Sequence, residues 1–125
     1  MVIVVEGSPV TKKNSLRILR GRGGRPFVAQ SKQHNDWAER AIWQIRNQWR
    51  QSALDVPVNM AAVVYRQKRT GDLLNYLAAV SDALEAAGVI TNDKLIVSLN
   101  GSRMEHDKKN PRVVIEIEVI ADHAR

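Results

Sequence analysis

The sequence contains no cysteine among its 125 residues. Disulfide bonds and thiolate-bound zinc are therefore excluded, and the composition suits a reducing compartment. No apolar run approaches the roughly 18 residues that a membrane-spanning helix needs. The apolar start at residues 2–5 is too short for a signal peptide and follows no charged segment. We therefore expect a cytoplasmic protein that has no membrane partner.

Acidic residues are missing from one long tract. Residues 12–32 carry seven basic side chains and no acid, and the whole chain has a net charge of +6. This excess indicates an anionic polymer such as nucleic acid as the partner. The glycine-rich part, residues 20–26, lacks the spacings of a phosphate-binding P-loop or a dinucleotide fingerprint, so no nucleotide cofactor is expected. It predicts the tip of a β-hairpin that contacts phosphates; the alternative is a solvated basic loop.

The remaining patterns predict a single α+β domain over residues 1–125. β-branched or alternating runs predict strands at residues 2–6, 58–65, 95–99 and 112–120, and the region 103–109 is interpreted as a polar loop. Helical spacing of apolar residues predicts helices over 31–51, capped by Ser31, and over 73–87. This order favours a mixed sheet with a β-hairpin and with both helices packed on one face.

The first of these helices carries three tryptophans. Trp37 and Trp49 fall on its apolar stripe, which predicts that they are core residues, whereas Trp43 falls between arginines. Trp43 can bury against a second subunit or stack on an unpaired base, and the interface is the favoured interpretation.

The second helix begins next to an acidic residue. Asp72 follows Gly71 and directly precedes the apolar periodicity, which is the pattern of a helix N-cap, and a cap alone is one interpretation of it. Asp93 follows the helix and is typical of a turn. Together the two carboxylates suggest a divalent-cation site, with Arg66, Lys68 and Arg69 beside any bound phosphate or, alternatively, in an exposed turn. His106-Asp107 in a charged loop is interpreted as solvated rather than catalytic.

Six short segments occur in an order that can be compared with known families. They are residues 7–15, the Asp72-Leu73-Leu74-Asn75 run followed by Asp82-Ala83-Leu84, the Gly88-Val89 and Asn92-Asp93 pairs, and Asn110-Pro111-Arg112. In this order they resemble the RusA-type Holliday junction resolvases over nearly the whole chain. The resemblance implies a RusA-like fold, a homodimer, a four-way DNA junction as the partner, and a bacterial or phage origin.

The resemblance also implies a catalytic mechanism. Mg²⁺, with Mn²⁺ as a substitute, would activate water for paired nicking in recombination and repair. Asp72 and Asp93 would be metal ligands, Asp82 a third catalytic acid or a solvated helix residue, and Asn75 would orient a ligand or water. The cations implied to contact phosphates are Lys12, Lys13, Arg20, Arg22, Arg25, Arg66, Lys68 and Arg69.

Two positions depart from the family pattern. Leu74 stands where the family has a second Asp, and Ala78 stands where it has a Lys. The two positions are one helical turn apart, so a carboxylate and an ammonium have been lost from one face together. The alternative to a nuclease is therefore a RusA-like protein that binds branched or duplex DNA without cutting it. A basic module that binds RNA is a third possibility.

Overall fold

The structure, a computed structural model, describes residues 1–9, 16–20, 26–30 and 32–120, with side chains for residues 1–9 and 36–120. Ser31, Lys12, Lys13, Arg22 and Arg25, which the sequence analysis singles out, lie outside the described residues, and of Arg20 only the backbone is described.

Seven strands and two helices make up the described part of the chain. In chain order they are β1 (Val2–Glu6), β2 (Leu16–Arg20), β3 (Pro26–Gln30), α1 (Lys32–Gln48), β4 (Val58–Arg66), α2 (Leu73–Ala86), β5 (Ile96–Ser98), β6 (Arg103–His106) and β7 (Arg112–Val119). Strands β2 and β3 form the expected antiparallel hairpin, in which Leu16 pairs with Gln30 and Arg20 with Pro26. Neither α1 nor α2 has the length and apolar character needed to cross a bilayer.

The other five strands form one mixed sheet. Its order is β1-β7-β4, and β5 and β6 both pair with the free edge of β4. The pairs β1–β7 and β7–β4 are antiparallel, whereas β5 and β6 run parallel to β4. Every second residue of β1, β4 and β7 is buried, which is the alternation expected when one face of a sheet packs on a core. Glu116 and Glu118 lie exposed on the other face.

Two polar side chains fasten the short strands to β4. The Asn59 Oδ1 atom accepts from Ser98 Oγ at 2.6 Å and from the Asn100 backbone N–H at 2.9 Å. Between β5 and β6, Ser102 Oγ accepts from the Ala62 N–H at 3.0 Å and donates to the Met60 carbonyl at 3.1 Å. Ser102 thus satisfies backbone groups of β4 at the gap between the two short strands.

Both helices contribute to the core against the buried sheet face. Its largest fully buried side chains include Trp37 and Ile45 of α1, Leu84 of α2, and Met60 and Ile115 of the sheet. Trp37 and Trp49 are buried, as the sequence predicts, and their indole N–H groups have no hydrogen-bond partner among the described atoms. Burial of these large apolar side chains is the dominant stabilising contribution to the fold.

Three details of the fold differ from the sequence-based expectation. Strand β6 occupies the region interpreted as a polar loop. It is an edge strand that is only partly covered, so its side chains are mostly polar and its sequence resembles that of a loop. Strand β5 covers Ile96–Ser98, which is shorter than the expected strand over residues 95–99. Helix α1 ends at Gln48, three residues earlier than expected.

Candidate functional site around the second helix

Asp72 is the N-cap of α2. Its backbone is extended, with φ −123° and ψ 127°, while its Oδ1 atom accepts from the N–H groups of Leu74 at 2.9 Å and Asn75 at 3.4 Å. These are N–H groups that the first turn of a helix cannot satisfy by itself. The carboxylate remains exposed to solvent on its other side. Capping is therefore a demonstrated role of Asp72.

The turn before Asp72 is held by Tyr76. The Tyr76 hydroxyl donates to the Thr70 carbonyl at 2.9 Å. Its ring occupies the space where a Cβ atom of residue 71 would lie, so that position requires glycine, and Gly71 also has a φ of +97°. Burial raises the pKa of Tyr76, and the positive charge of Arg66 opposes that rise. The cap position is thus fixed by a neutral, buried phenol.

The basic residues at the end of β4 and in the loop before α2 have two different roles. Arg66 is half-buried; its Nη1 donates to the Thr70 carbonyl at 3.2 Å and its Nε to the Glu105 carbonyl at 3.3 Å. Lys68 and Arg69 are exposed, next to the N-terminal end of α2. Arg66 therefore supports the loop, while the two following cations are accessible to a solvent-borne anion.

Asp93 is held in place by a side chain from the last turn of α2. Its backbone N–H donates to Glu85 Oε1 at 2.7 Å, and Asn92 Oδ1 accepts from the Lys94 N–H at 2.8 Å. These contacts define a short 3₁₀ turn over residues 93–95. Glu85 was not identified from the sequence, because a carboxylate eight residues away along the chain has no periodic relation to Asp93.

A groove of about 450 Å³ runs between α2 and the segment that follows it. Its walls include Leu74, Leu77 and Ala78 from the helix and Asp93 from the turn. Leu74 is 69% exposed, so its side chain projects into an open space rather than into the core. Both positions that depart from the family pattern therefore line the same groove as Asp93.

The groove has few of the donor atoms that a divalent cation needs. Leu74 and Ala78 provide none, and within residues 36–120 and 1–9 no cluster of three His, Asp or Glu side chains is placed to hold an ion. Asp72 and Asp82 are not among the groove-lining residues. The residues present do not fit a three-carboxylate metal cluster, and any ion there would depend on Asp93 or Asp72, water and phosphate oxygens.

The other polar candidates have structural contacts of their own. Asn75 donates its backbone N–H to Asp72, and Asp82 lies exposed on α2. His106 Nε2 lies 3.2 Å from the Gln67 carbonyl, in keeping with a residue that belongs to the strand edge rather than to a reactive dyad. The catalytic roles of Asp72, Asp93, Asp82 and Asn75 remain predictions.

The fold and the site together define a class of protein. It is an α+β protein in which a capped helix packs on a mixed sheet. Exposed cations lie at the start of that helix, and a groove with one carboxylate lies along its side. The family model described as endodeoxyribonuclease RusA matches residues 6–118, and the chain belongs to that family. A curated relative is the crossover junction endodeoxyribonuclease RusA of Aquifex aeolicus (strain VF5). It is 33% identical over 110 residues, which cover 87% of this chain and 83% of the relative. The family resemblance inferred from the sequence is confirmed.

Proposed function

We propose that this chain is a structure-specific endodeoxyribonuclease that acts on four-way junctions and related branched DNA, in the cytoplasm. The observation that carries the proposal is the family match, which extends over residues 6–118 and therefore includes both helices and the sheet strands β4, β5 and β6 in full. The relative from Aquifex aeolicus is named as a crossover junction endodeoxyribonuclease. The net charge of +6 supports a polyanionic substrate.

A homodimer is part of this proposal. A four-way junction offers equivalent strands related by two-fold symmetry, and two copies of one chain with the same symmetry can address two of them together. Paired nicks require that both copies are bound at once.

The DNA backbone would be held by exposed cations. Lys68 and Arg69 are accessible beside α2, and Arg66 positions the loop that carries them. Contacts of this kind fix the orientation of DNA but do not read its sequence. Lys12, Lys13, Arg20, Arg22 and Arg25 would supply further phosphate contacts.

Metal dependence is a further part of the proposal. Asp72 and Asp93 are the carboxylates that we expect to bind Mg²⁺ or Mn²⁺, together with water and the substrate phosphate. Because Leu74 contributes no ligand and Ala78 no positive charge, we expect a low metal affinity and slow cleavage.

The second candidate is a RusA-like protein that binds branched or duplex DNA without cutting it. The observation that favours it is the groove itself, in which exposed Leu74 and Ala78 stand beside Asp93. Both positions are exposed, so replacing an acid and an ammonium there costs the fold little, while it removes two charges from the groove that Asp93 lines.

Purified protein should be incubated with a labelled four-way junction in Mg²⁺, Mn²⁺ or EDTA, with binding and strand cleavage measured in the same samples. Symmetric nicks that need the metal and disappear in Asp93→Asn support the nuclease. Tight binding without nicks over a wide range of protein concentrations supports the second candidate. Failure to prefer the junction over duplex DNA of equal length would contradict the nuclease, and failure to bind either DNA would contradict both.

A gain-of-function pair gives a sharper test. Leu74→Asp with Ala78→Lys restores the two charges, and the matched control Leu74→Asn with Ala78→Gln restores polarity without charge. The Asp is expected to be tolerated because position 74 is exposed and lies in the first turn of α2, where a negative charge is favourable by about 0.3–1 kcal/mol. Cleavage should rise in the charged pair and stay unchanged in the control.

A further inference from the structure

Trp43 differs from the other two tryptophans in its surroundings. It is 70% exposed, whereas Trp37 and Trp49 are 2% and 7% exposed. Leaving an indole in water forgoes the burial of one of the largest apolar surfaces that a side chain offers. Trp43 is therefore not part of the core, and its indole is available to contact a partner from outside the described fold.

The side chains around Trp43 are mainly basic. From Arg40 to Arg50 the charged residues are Arg40, Arg46 and Arg50, with no acid between them. Residues 40, 43 and 46 recur at a spacing of three, which brings them to one side of α1. Arg46 also donates to the Ala86 carbonyl at 3.2 Å, so its guanidinium is anchored to the end of α2. We call Arg40, Trp43, Arg46 and Arg50 the Trp43 surface.

Beside the indole lies a shallow depression of about 350 Å³, lined by Glu39, Arg40, Trp43 and Gln44. Gln44 is fixed there because its Oε1 atom accepts from the Glu6 N–H at 2.9 Å. The ring thus lies at the edge of an open space that a planar group can enter.

A protein interface would leave a different pattern. Tryptophan and arginine are both common at such interfaces, but the core of a stable one is a contiguous apolar patch. In the part of α1 whose side chains are described, Trp43 is the single large apolar residue that is exposed. Trp43 is instead an exposed aromatic ring with arginines before and after it on α1 and one carboxylate, Glu39, beside it, so the surface is positive on balance. Single-stranded nucleic acid is bound in this way, with bases stacked on the ring and cations contacting phosphates.

We propose that the Trp43 surface binds an unpaired nucleotide of a DNA strand, with the base stacked on the Trp43 indole and the adjacent phosphates contacted by Arg40 and Arg50. The proposal rests on DNA being the substrate of this chain, as proposed above. It adds a contact for strands that have left the duplex, such as those at a branch point.

The experiment uses the fluorescence of the intact chain in EDTA, which prevents cleavage. An oligothymidine of about twelve nucleotides should quench the exposed Trp43, and a blunt duplex of the same length should quench it much less. Trp43→Ala should abolish the quenching and weaken oligothymidine binding about tenfold, since stacking on an aromatic side chain contributes about 1–3 kcal/mol per base. Arg40→Gln should lower the salt dependence of binding while leaving the quenching at saturation unchanged.

Val119→Ala is the control, because it removes another exposed apolar side chain that lies at the end of β7. Equal affinity of Trp43→Ala and Val119→Ala for oligothymidine would overturn the proposal. So would conversion of a dimer into a monomer by Trp43→Ala without any effect of oligothymidine on fluorescence, which would assign the surface to an interface between copies. Oligothymidine binding through Trp43 without preference for a junction would refute the proposed function but leave this inference intact.

Discussion

The side chain of Gln48 pairs with both backbone groups of Val4. Gln48 Oε1 accepts from the Val4 N–H at 2.8 Å, and Gln48 Nε2 donates to the Val4 carbonyl at 2.7 Å. One amide of α1 therefore occupies the place that a neighbouring strand would take beside β1. The two hydrogen bonds join α1 to β1 and satisfy both backbone groups of Val4. Leaving such groups unpaired is costly where water is partly excluded.

Gln48→Ala should lower the free energy of unfolding by about 1–3 kcal/mol, because it leaves the N–H and the carbonyl of Val4 without their partner. Urea denaturation would measure the change. Asn47→Ala, which removes an exposed amide bonded to the Trp43 carbonyl within the same helix, should change stability by less than about 0.5 kcal/mol. Equal effects of the two substitutions would show that the Gln48 pairing contributes nothing.

Asp72 substitutions can separate capping from chemistry. Asp72→Asn keeps an oxygen for the Leu74 N–H, so stability should remain within about 0.5 kcal/mol of the original, whereas Asp72→Ala should lose about 1 kcal/mol. Thermal unfolding would be compared with metal-dependent cleavage in the same variants. If the carboxylate binds a metal, cleavage should fall equally in both. Cleavage that follows stability instead would leave Asp72 as a helix cap alone.

Gly71 and Gly88 form a matched pair for testing the turn before α2. Both have positive φ, +97° and +82°, but the space beside Gly88 is open while that beside Gly71 contains the Tyr76 ring. Gly88→Ala should cost about 1 kcal/mol for the backbone alone. Gly71→Ala should cost about 2 kcal/mol more, because the Tyr76 ring must move. Similar unfolding midpoints for the two variants would contradict the close approach of Tyr76.

Asp107 should make stability depend on pH in the acid range. The hydrogen bond from Arg112 Nη1, at 2.9 Å, and that from the Asn110 N–H lower the pKa of Asp107. Because the folded-state pKa lies below the unfolded value of about 3.9, this contribution is present above that value and is lost as the pH falls through the folded pKa. Urea midpoints from pH 7 to pH 2 would measure the loss.

The same series on Asp107→Asn should show a smaller decline in that range. Glu118→Gln removes an equal charge from an exposed position of β7 and serves as the control. A decline in Asp107→Asn as steep as that in Glu118→Gln would mean that the contact with Arg112 does not stabilise the fold.

Much of the fold could be predicted because it depends on local periodicity. The capped start of α2 at Asp72, the glycine at its end and the alternation in β4 each follow from the spacing of side chains along a few residues. Strand β6 could not be predicted in this way, since it is defined by backbone pairing with β4 forty residues earlier in the chain and its own residues are polar.

The individual residues of the site could be predicted more readily than their arrangement in space. Asp72 and Asp93 were identified as candidates, and the family assignment is confirmed. The contact that fixes Asp93, from its N–H to Glu85, and the placement of Leu74 beside Asp93 depend on how the chain turns after α2. Contacts between two segments cannot be predicted from the spacing of residues within one of them.

Within the described residues, the five-stranded sheet has no long row of free backbone groups on either side. On one side the Gln48 amide pairs with β1, and on the other the edge is divided between the short strands β5 and β6, with the Ser102 hydroxyl between them. A second copy of the chain would find no template there for adding a strand of its own. A partner that approached this sheet would therefore have to be recognised through side chains, which can be exchanged one at a time without damage to the backbone pairing.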